Sequence, residues 1–250
     1  MKVIGIIPAR YGSVRFPSKP LTKIKGKTMI QRVWEQAWKS KLDAVVVATD
    51  DMRIADEVLK FGGQYVMTDP NLRSGTDRCR EALYMLEDQY DAVINIQGDE
   101  PFIDPEQINQ IIELISRDDT ALASLAKRIE DEEELFNPNV VKVVMDKLGN
   151  ALYFSRNPIP FMHHLDHEKW MQKGEFYKHI GLYAYKTETL CLIAKMASTP
   201  LETAESLEQL RWLENGLSIR MGITQLESIS VDTQQDLEKA VQFAHNQLKE

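Results

Sequence analysis

The first 34 residues contain no aspartate or glutamate, although the whole chain of 250 residues carries 38 acidic side chains. The same stretch holds eight lysines and arginines, which leaves 22 basic residues for the rest of a chain whose net charge is -8. A cationic segment on an anionic body can hold one multiply charged anion while the body repels large polyanions. The asymmetry therefore favours a phosphate-bearing small molecule as the ligand and argues against general nucleic-acid binding.

Cysteine and long apolar runs are also scarce. Cys79 and Cys191 are the only cysteines, and they lack the spacing of a metal site, so a reducing compartment is expected rather than a disulfide framework. No apolar run approaches the roughly 20 residues of a membrane span. The apolar residues 3–7 are too few for the core of a signal peptide. These absences predict a soluble cytoplasmic protein that does not associate with membranes.

Three familiar ligand motifs are missing as well. Gly26-Lys27-Thr28 resembles the end of a Walker loop, but Leu21 stands where the first glycine of that loop is required. No G-x-G-x-x-G sequence occurs, which excludes the usual dinucleotide fingerprint. The histidines at 163, 164 and 167 have no cysteine nearby and no diagnostic spacing, so they do not predict zinc.

Short apolar runs alternate with helical periodicity in the first half of the chain. Residues 3–7, 44–48, 65–67 and 92–96 read as buried strands, and apolar residues recur at helical spacing between them. Thr76 is the expected N-cap of the third helix, and Pro105 the expected first residue of the fourth. This alternation predicts an α/β fold with a doubly wound, mostly parallel sheet, in which ligands bind beyond the carboxyl ends of the strands.

The second half has a different pattern. Residues 140–145 and 151–154 flank Gly149-Asn150 and predict a hairpin, residues 157–175 predict a long loop, and residues 179–185 predict a strand. Helices are expected from about Thr187, Thr203 and Thr233. We interpret the whole chain, residues 1–250, as one domain with a β-rich insertion at about 136–185.

The first candidate site is the basic loop after strand one. Arg10, Arg15 and Lys19 surround Gly12 and Ser13, and a triphosphate requires such charge together with backbone N–H groups that can approach its oxygens. A solvated loop between strand and helix is the alternative. The position at a strand's carboxyl end favours the phosphate site.

The second candidate site is a pair of carboxylates. Asp99 follows a buried strand, and Asp232 follows the apolar residues 229–231 just before a helix. Two carboxylates from distant sequence are a usual protein contribution to a Mg²⁺ site whose other ligands are phosphates and water. Each aspartate could instead cap a helix.

Other polar residues carry weaker signals. Arg156, His179 and Tyr183 could hold a carboxylated or hydroxylated second substrate, although a strand histidine is more often structural. Glu205 and Gln209 share a helix face, as many surface pairs do. Cys79 has no neighbouring base that would make it a nucleophile.

Together these segments resemble the 3-deoxy-manno-octulosonate (KDO) cytidylyltransferases, also called CMP-KDO synthetases. The matching blocks run in order over essentially the whole chain: residues 6–13 (IIPARYGS), 15–21 (RFPSKPL), 47–50 (VATD), 74–78 (SGTDR), 97–101 (QGDEP), 136–139 (FNPN), 151–156 (ALYFSR), 178–183 (KHIGLY), 207–211 (LEQLR) and 231–233 (VDT). Ser18 stands where glycine is common in the family, and residues 161–176 match poorly.

The resemblance implies a nucleotide-diphospho-sugar transferase fold, a homodimer formed through the β-rich insertion, and transfer of CMP from CTP to the anomeric hydroxyl of KDO for lipopolysaccharide assembly. It also implies a role for individual residues. The triphosphate would be held by Arg10, Ser13, Arg15 and Lys19. The cytidine would lie near Thr49, Asp50, Arg73, Ser74 and Gly75. The catalytic Mg²⁺ would be held by Asp99 and Asp232. The sugar acid would face Arg78, Gln97, Arg156, His179, Tyr183 and Gln209.

Three other functions remain open at this point. A cytidylyltransferase for another acidic sugar, a sialic acid or 8-amino-KDO, is one alternative, and the single hydroxyl-to-amine change of 8-amino-KDO would need only a local change in the pocket. A glycosyltransferase shares this sheet architecture but usually has an aspartate-x-aspartate motif, which the chain lacks. A non-catalytic nucleotide-binding module would have no need of the Asp99 and Asp232 pair.

Overall fold

The fold is seen in a computed structural model that describes residues 1–12, 16, 18–231 and 233–247. The strands are β1 (Val3–Ala9), β2 (Lys23–Ile24), β3 (Lys27–Thr28), β4 (Ala44–Thr49), β5 (Gln64–Met67), β6 (Ala92–Asn95), β7 (Leu122–Arg128), β8 (Lys142–Met145), β9 (Ala151–Ser155), β10 (Tyr177–Lys186) and β11 (Arg220–Thr224). The helices are α1 (Met29–Trp38), α2 (Met52–Lys60), α3 (Gly75–Met85), α4 (Pro105–Ile115), α5 (Glu132–Phe136), α6 (Trp170–Lys173), α7 (Thr187–Ile193), α8 (Pro200–Glu205), α9 (Gln209–Glu214) and α10 (Gln234–Gln247). Single 3₁₀ turns occur at Lys19–Leu21 and His167–Lys169.

The predicted doubly wound, mostly parallel sheet is confirmed. Its main path runs β11-β7-β10-β6-β1-β4-β5, with parallel pairing except where β10 lies antiparallel between β7 and β6. Apolar clusters cover both faces, which is why β1, β4 and β6 are apolar runs rather than alternating strands. The carboxyl ends of β1, β4 and β6 therefore meet at one edge of the sheet.

The hairpin predicted in the second half is β8 with β9, which pair antiparallel on either side of a turn that contains Gly149. β8 also pairs with β10 through Tyr177 and Lys178, so the hairpin extends one end of the main sheet. The predicted loop at 157–175 contains a 3₁₀ turn and the short helix α6. Trp170 of α6 is buried there among Ile129, Leu135 and Phe176.

Two predicted helix starts are wrong. The N-cap of α3 is Ser74 rather than Thr76, because the Ser74 hydroxyl accepts a hydrogen bond from the backbone N–H of Asp77 at 3.1 Å. The helix predicted from Thr203 begins at Pro200, whose fixed φ suits the first helical position. By contrast, α7 begins at Thr187 and α4 at Pro105, as predicted.

Strands β7 and β11 are not evident from the sequence pattern. β7 includes Ser124 and Lys127 among apolar residues, and β11 is a short edge strand with the exposed Ile223. Both strands pair with strands that are distant in the sequence: β7 pairs with β10, and β11 pairs with β7. Within the described residues, no helix has the length and apolar character needed to cross a membrane.

Candidate active site

A cavity of about 250 Å³ opens at the sheet edge where β1 and β6 end and α3 begins. Eight of the residues that the sequence singled out line it: Arg10, Lys19, Arg73, Ser74, Gly75, Arg78, Gln97 and Asp99. Pro8, Ala9, Pro20, Leu72 and Gly98 complete the wall. The cavity thus combines four cations with one carboxylate, a set suited to a polyanionic ligand.

The close approach of two loops forms the floor of the cavity. A Cβ added to Gly98 would lie 2.8 Å from the carbonyl oxygen of Pro8, closer than side-chain carbons approach backbone. Glycine at this position lets the end of β6 lie against the end of β1. As a result, Asp99 comes next to residues contributed by the basic loop.

Lys19 and Asp99 form the central ion pair of the cavity. Nζ of Lys19 donates to Oδ2 of Asp99 at 2.7 Å, although 80 residues separate them in sequence. The Lys19 side chain is only 11% exposed and that of Asp99 is 30% exposed, so the pair lies at the cavity wall rather than in bulk water. The sequence placed these two charges in different candidate sites, and the fold brings them together.

Asp99 is also joined to the segment that leads to Asp232. The backbone N–H of Val231 donates to the carbonyl oxygen of Asp99 at 2.9 Å, and Val231 is fully buried. Asp232 itself, like Ser13 and Arg15, lies outside the described residues. Among the described residues, no three histidine, cysteine, aspartate or glutamate side chains group as a metal site.

The amino terminus of α3 forms the opposite wall. Ser74 caps the helix, and a Cβ added to Gly75 would lie 3.3 Å from Cγ of Pro8. The first backbone N–H groups of a helix attract anions. Arg73, immediately before the cap, adds a cation to the same wall.

Arg78 reaches the cavity from the first turn of α3 and is buried. Its guanidinium donates to Oδ2 of Asp50 at 3.2 Å and to the hydroxyl of Thr68. The Thr68 hydroxyl in turn donates to the carbonyl oxygen of Thr49 at 3.1 Å, and the Thr49 hydroxyl accepts from the N–H of Asp51 at 3.3 Å. Thr49 and Asp50 therefore lie behind Arg78 rather than in the cavity lining.

His179 and Tyr183 lie on β10, two sheet strands away from β1. Nε2 of His179 is 2.9 Å from the hydroxyl of Ser124, whose oxygen is also 2.9 Å from the carbonyl oxygen of Leu182. A hydroxyl that donates to the carbonyl must accept from the ring, which assigns a proton to Nε2. Burial lowers the pKa of His179 to about 3, so the imidazole is neutral near pH 7 and Nε2 carries its one ring proton.

The Tyr183 ring packs against His179 and Trp212, with centroid distances of 5.1 and 5.0 Å. Its hydroxyl is buried and has no hydrogen-bond partner among the described residues. Burial raises the pKa of Tyr183 well above its ordinary value, so the phenol stays protonated. A buried hydroxyl of this kind can donate to or accept from a ligand that reaches it.

Arg156 and Gln209 also lie outside the cavity lining. The Arg156 guanidinium donates to the carbonyl oxygens of Glu205 at 2.7 Å, Pro138 at 3.0 Å and Ser206 at 3.3 Å. In this arrangement Arg156 joins the hairpin to the turn between α8 and α9. Gln209 is buried at the start of α9.

Glu208 is a candidate residue of the site that the sequence does not predict. Its Oε2 accepts from the Thr76 hydroxyl at 3.0 Å, which joins α9 to the first turn of α3. Burial raises the pKa of this carboxyl. Glu208 lies in the motif block 207–211, but residue spacing does not indicate its contact with Thr76, because 132 residues separate the two in sequence.

Comparison with known proteins places this chain in a family. Residues 4–221 match the cytidylyltransferase family model. The chain is 54% identical over 250 residues to a 3-deoxy-manno-octulosonate cytidylyltransferase from Parabacteroides distasonis, covering 98% of this chain and 99% of the relative. It is 52% identical to a protein of the same name from Bacteroides thetaiotaomicron, again covering 98% and 99%.

A solved structure agrees with these relatives. CMP:2-keto-3-deoxy-manno-octonic acid synthetase complexed with CTP superposes with a TM-score of 0.91 at 39% identity, over 99% of this chain and 100% of the other. A 4-diphosphocytidyl-2C-methyl-D-erythritol synthase from Anaerococcus prevotii, at 17% identity and a TM-score of 0.62, shares the fold alone. The resemblance seen in the sequence motifs is therefore confirmed over the full length, and the chain belongs to the 3-deoxy-manno-octulosonate cytidylyltransferase family.

Proposed function

We propose that this protein transfers CMP from CTP to the anomeric 2-hydroxyl of KDO and releases pyrophosphate. The observation that carries the proposal is the cavity itself, where Lys19 and Asp99 meet 2.7 Å apart beside Arg10, Arg73 and Arg78. Cations that suit a triphosphate thus lie within reach of a carboxylate that suits a metal. The full-length relatives named for this activity support the choice of substrates.

The cations of the basic loop hold the triphosphate in this proposal. Arg10 and Lys19 line the cavity, and Ser13 and Arg15, which stand between them in the sequence, lie outside the described residues. Arginine and lysine form charge-assisted hydrogen bonds to phosphate oxygens. On the opposite wall, the amino terminus of α3 offers N–H groups to the same anion.

The nucleoside lies toward α3 and β4 in the same arrangement. Arg73, Ser74 and Gly75 line the cavity there, and Thr49 and Asp50 support Arg78 from behind. A Cβ added to Gly75 would lie 3.3 Å from Cγ of Pro8, so the start of α3 lies close to the end of β1. These five residues are our candidates for the cytidine side of the site: Thr49, Asp50, Arg73, Ser74 and Gly75.

Asp99 and Asp232 would hold Mg²⁺ in the proposed site. The donor set fits this ion, because the described residues supply one carboxylate at the cavity wall and no cluster of nitrogen or sulfur ligands. Mg²⁺ usually takes one or two carboxylates and completes its shell with phosphates and water. When bound, the ion would lower the pKa of the attacking hydroxyl and neutralise charge on the α-phosphate.

The sugar acid enters from the side of β10. Arg78 and Gln97 face the cavity, and Tyr183 carries the hydroxyl that has no partner among the described residues. Neutral His179 and Gln209 are further candidates for contacts with the sugar acid, and Arg156 holds the turn between α8 and α9 through the carbonyl oxygen of Glu205. A carboxylate with several hydroxyls matches this mixture of cations and neutral polar groups.

Positioning and charge neutralisation carry the reaction. The 2-hydroxyl oxygen bonds to the α-phosphorus as the opposite bond to pyrophosphate breaks, and the hydroxyl proton is released to solvent. The chain needs no nucleophile of its own for such an in-line transfer. Arg10 and Lys19 stabilise the charge that develops on the leaving pyrophosphate.

The test is pyrophosphate release with CTP, Mg²⁺ and each of three sugar acids: KDO, 8-amino-KDO and a sialic acid. We expect fast release with KDO and much slower release with the other two. Preference for 8-amino-KDO would move the assignment to that substrate, and no release with any sugar acid would support a non-catalytic nucleotide-binding module. Lys19→Met should abolish release, whereas Lys27→Met, which removes an equal charge paired with Glu35 at the surface, should not.

We further propose that the protein acts as a homodimer in the cytoplasm, where CTP is available, and supplies lipopolysaccharide assembly. The β-rich insertion at about 136–185 is the proposed contact, since Phe161 is 67% exposed there beside Trp170 and Leu152 is 61% exposed on β9. Light scattering should give a dimer for the wild type and a monomer for Phe161→Glu. The matched control is Trp38→Glu, an aromatic residue 61% exposed on α1, which should stay dimeric.

A further inference from the structure

The basic loop is attached to α2 by a stacked pair of side chains. The guanidinium of Arg53 lies over the ring of Tyr11, with 3.4 Å between Cζ and the ring centroid. This distance is well inside the range in which an arginine is attracted to an aromatic face. Tyr11 follows β1 by two residues and Arg53 lies in the first turn of α2, so the stack joins two separate segments.

Asp51 fixes the orientation of the arginine. Nε of Arg53 donates to Oδ1 of Asp51 at 2.8 Å, and Nη2 donates to Oδ2 at 2.6 Å. A two-point contact of this kind holds the planar guanidinium in one orientation. Asp51 is in turn the N-cap of α2, and Arg53 holds the pKa of this carboxyl below its ordinary value.

The stack lies at the base of the loop. The backbone N–H of Ser18 donates to the carbonyl oxygen of Tyr11 at 3.2 Å, which joins the segment before Lys19 to the segment after Arg10. Arg10 immediately precedes Tyr11 and Lys19 immediately follows Ser18. Both cations line the cavity, so the position of Tyr11 determines where the two proposed triphosphate ligands stand.

We propose that Tyr11 and Arg53 are positioning residues for the triphosphate end of CTP. They act through Arg10 and Lys19, because the stack holds the base of the loop before the nucleotide arrives. Preorganised cations bind an anion more tightly than cations on a mobile loop, since less conformational entropy is lost on binding. The inference rests on the proposed function in that CTP is the ligand of this cavity.

A general effect on folding would not account for the expected result. The Arg53 side chain is 59% exposed, so its replacement should change the stability of the protein little. Its effect should instead appear in the affinity for CTP. The affinity for the sugar acid, which enters from the side of β10, should not change.

The experiment measures the dissociation constant of CTP by calorimetry without sugar acid, so that no turnover occurs. Tyr11→Leu and Arg53→Leu should each weaken binding about threefold to tenfold, and the double variant should be no weaker than the worse single one. Tyr11→Phe keeps the ring and should bind CTP with wild-type affinity. The matched control is Tyr84→Leu, which removes a ring that faces Arg80 at 5.1 Å and is 62% exposed at the far end of α3.

Wild-type affinity in Arg53→Leu would overturn the proposal, and so would fully additive losses in the double variant. Arg53→Leu is decisive even if Tyr11→Leu does not fold. Arg10→Ala and Lys19→Met separate this failure from failure of the proposed function. If those two leave CTP binding unchanged, the triphosphate assignment is wrong; if they weaken it and Arg53→Leu does not, only the positioning role is wrong.

Discussion

At the scale of single residues, Lys19 and Asp99 each have a partner in the free protein that the proposed reaction would replace. The ammonium of Lys19 is 2.7 Å from the carboxylate oxygen of Asp99. The triphosphate would replace Asp99 as the partner of Lys19, and the metal would replace Lys19 as the partner of Asp99. The pair therefore keeps both charges neutralised at the cavity wall until substrates bind, since unpaired buried charges are costly.

The first prediction concerns Asp99→Asn. We expect turnover to fall at least about 100-fold, the scale of losing one electrostatic stabiliser, because asparagine carries no charge for the metal. Pyrophosphate release over a range of Mg²⁺ concentrations measures the effect. Asp118→Asn, at an exposed position, should behave like the wild type. Near-normal rates for Asp99→Asn in saturating Mg²⁺ would show that Asp99 is not a metal ligand.

The second prediction concerns His179 and acid stability. Its folded-state pKa is lowered to about 3 by burial, whereas an unfolded histidine titrates near about 6.5. The unfolded chain therefore binds an extra proton as the pH falls below about 6.5, and the stability that neutral His179 contributes is fully present only above that pH. As the pH falls from 6 to 4, the unfolding free energy of the wild type should fall more steeply than that of His179→Gln. The two slopes should differ by up to about 1.4 kcal/mol per pH unit.

Urea unfolding at pH 7, 5.5 and 4.5 measures this difference between the two proteins. Parallel pH dependences for wild type and His179→Gln would mean that His179 gains its proton in the folded state. Near neutral pH the reaction rate should show no step from titration of His179, because its imidazole stays uncharged.

At the scale of elements, the site depends on the contact between the ends of β1 and β6. The sequence predicts both strands and places polar residues after each of them. It does not predict their pairing, in which Val3 to Ile6 align with Ala92 to Asn95. Nor does it predict that β10 inserts antiparallel between β6 and β7, which brings Tyr183 alongside Asn95.

The third prediction concerns Gly98→Ala. The added Cβ would lie 2.8 Å from the carbonyl oxygen of Pro8, and backbone must move to relieve this contact. We expect about 1–3 kcal/mol of lost stability and a clear loss of turnover, because Asp99 moves with the loop. Gly12→Ala is the comparison for stability, since an added Cβ there meets nothing within 4 Å. Unfolding and pyrophosphate release measure both effects, and wild-type values for Gly98→Ala would contradict the close approach.

At the scale of the whole molecule, charge is divided between a basic amino-terminal segment and an acidic remainder. The total of 30 basic and 38 acidic residues hides this division. The fold directs Arg10 and Lys19 into one cavity and leaves Lys25 and Lys27 at the surface, paired with His245 and Glu35. Only part of the basic stretch therefore serves the proposed site.

The fourth prediction concerns ionic strength. Because CTP is a polyanion and the cavity is cationic, the KM for CTP should rise several-fold between about 0.05 and 0.5 M salt, as screening shortens the range of the attraction. The turnover number should change much less. Initial rates at several CTP concentrations measure both constants. The double variant Arg10→Ala, Lys19→Met should lose most of the salt dependence of the KM for CTP. An unchanged salt dependence in this variant would mean that other charges attract CTP.

The sequence predicted more of the architecture than of the site. Apolar runs identified β1, β4, β5 and β6, and the motif blocks identified the family. The N-cap of α3 differs from prediction because Ser74 and Thr76 can both cap a helix and only the local backbone decides between them. The start of α8 differs because Pro200, with its fixed φ, takes the first helical position. β7 and β11 were missed because their stability comes from pairing with distant strands rather than from their own residue pattern.

Taken by itself, the sequence determined the α/β class, the charge of the amino-terminal segment and the membership of the family, since these follow from composition, periodicity and motif order. Tertiary structure decided which charges meet. It paired Lys19 with Asp99, assigned Arg156 to three backbone carbonyls and placed Arg53 over Tyr11. Such contacts depend on distances between segments far apart in the chain, and residue spacing along one sequence carries no measure of those distances.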